Sequence, residues 1–182
     1  MKKGIKTIGF DDGPFVKGQE KTVIVGVIMR GNDYVEGIVR DWITVDGSDS
    51  AEKIKTLVKN SRHYNQLKAV FIHGSTMGGF NLLDFRELKK IRKPVITVLR
   101  KKPSGKAVKA VKKYFKEKEK IVQSQPEFFK YKQAYFQAVN VEKQKAIELI
   151  EKTTRMGNIP EPVRLAHLIA TAYVKGESNA RA

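Results

Sequence analysis

Residues 22–30 read TVIVGVIMR, an apolar run rich in β-branched side chains that closes on an arginine. A run of that length and branching fits a central strand, covered by other elements. Ile5 to Phe10 is a second strand candidate, separated from the first by a loop over residues 13–21 that holds Gly13, Pro14 and Gly18. Gly31-Asn32-Asp33 is a turn signal, and Tyr34 to Val45 (YVEGIVRDWITV) returns as a long strand. The first 45 residues therefore predict an antiparallel meander of three strands.

The period then changes. Asp46-Gly47-Ser48-Asp49 is a loop, and Asp49 with Glu52 three residues on is a loose capping pattern for a helix reaching about Asn60, with Ile54, Leu57 and Val58 on one face. Lys68 to His73 (KAVFIH) is a buried strand, Gly74 to Gly79 a glycine-rich loop, Phe80 to Lys90 a helix, and Val95 to Leu99 another strand. Strand, helix, strand is the order of a parallel crossover unit. Further on, the pattern predicts an amphipathic helix from Ser104 to about Val122, an irregular aromatic stretch over residues 123–133, and a short strand over Tyr135–Val139. A helix over Glu142–Thr153 follows, and then Ile159-Pro160-Glu161-Pro162 leads into a last helix over Val163–Tyr173. Three antiparallel strands followed by parallel strands with crossover helices is the order of an α/β, ribonuclease H-like mixed sheet, expected here as one domain over residues 1–182.

The stretch Thr7-Ile8-Gly9-Phe10-Asp11-Asp12-Gly13-Pro14 carries two adjacent carboxylates to the end of the first strand, where Gly-Pro breaks the chain. Two adjacent carboxylates repel unless something positive sits beside them, and a divalent cation such as Mg²⁺ or Mn²⁺ is the usual answer in phosphate chemistry. The plainer alternative is a turn made by Asp12-Gly13. Sheets of this kind place ligands at the carboxyl ends of their strands, where Asp11, Asp12, His73 and Arg100 all fall.

Charge says what the partner would be. Lys and Arg total 36 against 19 Asp and Glu, a net +17, and residues 100–132 alone carry +9. More than half the excess lies in a fifth of the chain, which points to a polyanion, nucleic acid first, although a lysine-rich, cysteine-free composition also accompanies life at high temperature. There is no cysteine, no apolar run near the ~20 residues of a membrane helix and no signal-peptide block, so a cytoplasmic protein with no membrane partner is expected. The loop over residues 74–79 lacks the Lys-Ser/Thr of a P-loop, which argues against nucleoside triphosphates, yet its N–H groups could still meet a phosphate.

Four motifs in order resemble the archaeal endonuclease V-like family known as endonuclease dU. They are Gly9-Phe10-Asp11-Asp12-Gly13-Pro14-Phe15, then Phe71-Ile72-His73-Gly74 with Gly79-Phe80-Asn81 behind it, then Pro94 to Arg100, and last Ile159 to His167. The resemblance implies a divalent-metal endonuclease acting on DNA, favoured over RNA, plausibly at deaminated or damaged bases. It makes Asp11 a metal ligand, Asp12 a ligand or its neighbour, and His167 a group that orients water or carries a proton. Asp46, Asp49 and Glu52 compete for the second acidic ligand. Arg100, Lys101, Lys102 and Lys106, with Asn81 and Arg164, would meet nucleic acid. Where endonuclease V has an aspartate after the fourth strand, this chain has His73. Nitrogen suits Mn²⁺ or Zn²⁺ better than Mg²⁺, so the departure allows a softer metal, a rearranged site on Asp11 and Asp12, or a scaffold that binds without cutting.

Several of these residues have plainer readings. A single histidine in the apolar helix around His167 is by default a packing residue, and only the Pro-Glu-Pro before it raises a functional one. His63 reads as a solvated helix end, and the lysines from 101 to 120 as a solvated face. Phe128, Phe129, Tyr131 and Tyr135 next to that charge could stack bases, with a core role expected for two of the four.

Overall fold

The computed structural model describes residues 4–102 and 115–179. Its main sheet has seven strands in the order β3-β2-β1-β4-β7-β9-β8. These are β1 (Lys6–Asp12), β2 (Lys21–Arg30), β3 (Tyr34–Thr44), β4 (Leu67–His73), β7 (Val95–Leu99), β8 (Phe129–Tyr131) and β9 (Ala134–Val139). The expected meander is present, β1 pairing antiparallel with β2 and β2 with β3, while β1, β4 and β7 run parallel. Helices α1 (Ser50–Asn60) and α2 (Phe85–Lys89) cover one face through Ile54, Val58, Phe85 and Leu88. The helix Lys143–Thr153 (α4) covers the other with Ala146, Leu149 and Ile150, and the helix Glu161–Lys175 (α5) with Val163, Ala166 and Ala170. No helix among the described residues is long and apolar enough to cross a membrane.

The structure corrects four expectations. Phe80–Lys90 is not one helix: Asn81–Leu82 (β6) pairs with Thr76–Met77 (β5), and α2 starts only where Asp84 accepts the Arg86 N–H at 2.9 Å. Asp49 sits at the cap position of α1 but does not cap it. Its carboxylate turns back to the Thr44 N–H and hydroxyl at 3.1 and 3.0 Å. Of the helix expected from Ser104 to Val122, the described part is a turn over Lys116–Lys118 and a short helix, Glu119–Gln123 (α3), and the rest lies outside the described residues. His63 is half-buried rather than solvated, its Nδ1 3.0 Å from Lys6 Nζ.

Two contacts fix the end of the sheet where β1 stops. A Cβ on Gly9 would lie 2.4 Å from the backbone of Pro162 and Val163, so the bare glycine is what lets the start of α5 rest on β1. Farther out, the buried side chain of Lys118 gives its ammonium to the carbonyls of Asp46, Gly47 and Phe80 at 2.6, 2.8 and 2.8 Å. Burial lowers its pKa, a cost met by those three acceptors and by the Phe115 ring 4.4 Å away.

Gly9→Ala is therefore expected to destabilise the fold by about 3 kcal/mol and to lower the melting temperature by about 6–12 °C. An unchanged melting curve would contradict the close approach of α5. Lys118→Met, which leaves three carbonyls without their donor, is expected to cost about 3 kcal/mol and to speed hydrogen exchange at Gly78 and Phe80. Exchange at those two amides no faster than in the parent protein would show that the clamp does not hold the loop.

Candidate active site

Side chains alternate along a strand, so the two acids that are neighbours in sequence leave the sheet on opposite faces. Asp11 shares the α5 face with Gly9. Asp12 turns to the α1 face, where its Oδ2 accepts the Gly78 N–H at 2.9 Å. Asp11 is buried, 3 % exposed, and its Oδ2 faces two imidazoles. His73, the last residue of β4, approaches with Nδ1 at 3.0 Å, and His167 from α5 with Nδ1 at 2.8 Å. The Asp12 N–H takes the other oxygen, Oδ1, at 2.9 Å. Residues 62 and 156 positions from Asp11 along the chain are thus brought to its carboxylate by the parallel β1–β4 pairing and by the seat of α5 on Gly9.

Electrostatics follow from the geometry. Burial pushes the Asp11 carboxyl up, but the hydrogen bonds from His167 and His73 outweigh it and hold the group below its ordinary value. Burial alone would lower His73, yet the Asp11 carboxylate raises it above the usual imidazole range. Asp12 is pushed up to about 6 by burial and by the charge of Asp11. These groups line a cleft of about 400 Å³ together with Phe15, Thr171 and Lys175. Thr171 and Lys175 lie one and two helical repeats beyond His167, on the same side of α5, a spacing that the sequence carried without its being used.

Asp11, His73 and His167 are also the one group among the described residues able to hold a metal ion, each offering an atom within 4.8 Å of the others. An octahedral ion with ligands at about 2.1 Å needs adjacent ligand atoms about 3.0 Å apart, and the two Asp11 contacts, at 3.0 and 2.8 Å, are close to that separation. The donor set of two nitrogens and one carboxylate fits a divalent transition ion better than Mg²⁺.

The other expected residues are placed elsewhere. Asp46 accepts the Phe80 N–H at 2.7 Å and Asp49 the Thr44 groups, so both acids tie loops together and neither joins the cluster. Asn81 is fully buried and spends its amide on Ser50, Thr44 and Asp49, leaving nothing for a polyanion. Arg164 is paired with Glu161 at 2.9 Å. Arg100, Lys101 and Lys102 are exposed beyond the end of β7, and Lys106 lies outside the described residues. Phe129 stacks on Phe136 with centroids 5.7 Å apart, and the Tyr131 hydroxyl meets Glu151. Both sit on β8, four strands from β1 and so about 19 Å from it.

Comparison with known proteins places the chain. The description Endonuclease dU belongs to the family profile that matches residues 3–174. A UPF0215 protein of Thermococcus sibiricus is 42 % identical, the match covering 98 % of this chain and 96 % of that one. A crystal structure of a protein of unknown function from Archaeoglobus fulgidus superposes with a TM-score of 0.84 at 31 % identity, covering 93 % of this chain and 98 % of the other. Human endonuclease V shares the fold, with a TM-score of 0.63 at 15 % identity over 94 % of this chain and 85 % of that one. With its mixed sheet in the ribonuclease H-like order and a sequence match over almost its whole length, the chain belongs to the endonuclease dU family.

Proposed function

We propose that the protein is a divalent-metal endonuclease that hydrolyses phosphodiester bonds in nucleic acid, in DNA before RNA, at deaminated or damaged bases. Family membership supports a nuclease. The observation that carries the finer reading is the meeting of Asp11, His73 and His167 at the floor of one open cleft. His73 replaces an expected carboxylate without being turned away from the site. It faces Asp11, and this favours an active centre with a nitrogen-tolerant ion over a dead scaffold.

Asp11, His73 and His167 would hold the ion. A divalent ion bound there supplies Lewis-acid polarisation of a phosphate oxygen and of the attacking water. The chain's own groups supply the rest. Lys175 on the cleft wall, with Arg100 beyond β7, gives positive charge to the phosphate backbone. Asp12, with its carboxyl near 6 and one oxygen fixed by Gly78, can exchange a proton at the cleft near neutral pH. Phe15, which lines the cleft and is about a third exposed, offers a ring beside the scissile position.

Labelled oligonucleotides carrying inosine, uracil or an abasic site, each in DNA and in RNA, give the test. Incision is expected with Mn²⁺, more weakly with Mg²⁺, and not with EDTA, and Asp11→Asn should lower the rate about a hundredfold or more. Binding without incision in either metal would overturn the enzyme and leave a nucleic-acid-binding protein on a nuclease fold.

A further inference from the structure

The edge strand β3 carries the chain's single tryptophan, and that residue lies on the surface beside the cleft. Trp42 is 39 % exposed and meets Tyr173 of α5, itself 54 % exposed, edge-on at 6.3 Å. The Arg40 guanidinium lies 5.7 Å above the same tyrosine ring. Two aromatic rings and an arginine left open to water are what stacks an unpaired base in proteins that bind single strands.

We propose that Trp42, Tyr173 and Arg40 form a stacking platform for an unpaired base of the strand whose phosphate enters the cleft. The proposal rests on the nucleic-acid reading above. Position supports it. Trp42 pairs with Val23, and Val23 takes the Gly13 N–H at 2.8 Å, so platform and cleft share one end of the sheet. Two strand spacings separate their backbones, about 10 Å, or roughly three base steps of a strand. The end of α5 lies between them, with Lys175 on the cleft flank and Tyr173 on the other.

Charge supports it too. The one acid next to Trp42, Asp41, is turned to the opposite face and paired with Lys53 at 3.1 Å, leaving Arg40 as the charged group at the rings. A second copy of the chain adding its own edge strand fits less well. The register of β3 against β2 shifts beside Glu36, and such an irregularity blunts an edge against pairing.

A single tryptophan makes the test direct. Titrating the protein, with EDTA present, with a single-stranded oligonucleotide should quench its intrinsic emission in a saturable way. Trp42→Ala and Tyr173→Ala should each weaken binding about tenfold, and Trp42→Phe should keep most of the affinity. Binding without any change in emission, or unchanged affinity in both alanine variants, would overturn the platform. Emission that changes with protein concentration alone would overturn it in favour of a contact between copies. The incision assay separates the two readings: cutting with no quench sinks only the platform, and quench with no cutting sinks only the nuclease.

Discussion

A carboxylate removed from water must find donors, and the rest of this site is arranged around that need. Asp11 finds them in His73 and His167, which arrive from opposite sides, one at the end of the neighbouring parallel strand and one on the last helix. His73 is brought there by the β1–β4 pairing, and His167 by α5 lying directly on β1, which the missing side chain of Gly9 permits. The same three groups that satisfy one another by hydrogen bonds have the spacing and chemistry to satisfy a divalent ion.

The alternation of a strand gives the adjacent acids different tasks. Asp11 belongs to the α5 face and the two histidines, Asp12 to the α1 face and the loop at Gly78. That loop is held in turn by Asp46 and by the Lys118 ammonium, so a lysine far along the chain sets the donor that fixes Asp12. The cleft is thereby supported from both sides of the sheet. The acids Asp46 and Asp49 look like ligands in sequence and act as ties in the structure.

Much of the architecture could be read from residue patterns. The β-branched runs marked β1 to β4 and β7, and the Pro-Glu-Pro start marked α5. Elements with mixed signals are harder to read: the 80–90 stretch has the pattern of one helix because its polar break at Asp84 resembles a helical polar face, and it is a two-residue strand followed by a short capped helix. At the site, Asp11 and His73 are marked in sequence by their places at strand ends, and His167 only by the Pro-Glu-Pro that opens its helix. A polar residue behind a glycine-rich loop gives no sign of whether its amide is spent inside the fold, as that of Asn81 is. Lys118 was invisible for a similar reason: among many solvated lysines, nothing in sequence marks the buried one. Pattern reports faces of elements well, and long-range satisfaction of single polar groups poorly.

Asp11, His73 and His167 are proposed to share one divalent ion. Anomalous diffraction from crystals soaked in Mn²⁺ tests it most directly. A single strong peak is expected at about 2.0–2.3 Å from an Asp11 oxygen and from a nitrogen of each histidine. No peak at that point, or a peak held by Asp46 or Asp49 instead, would contradict it.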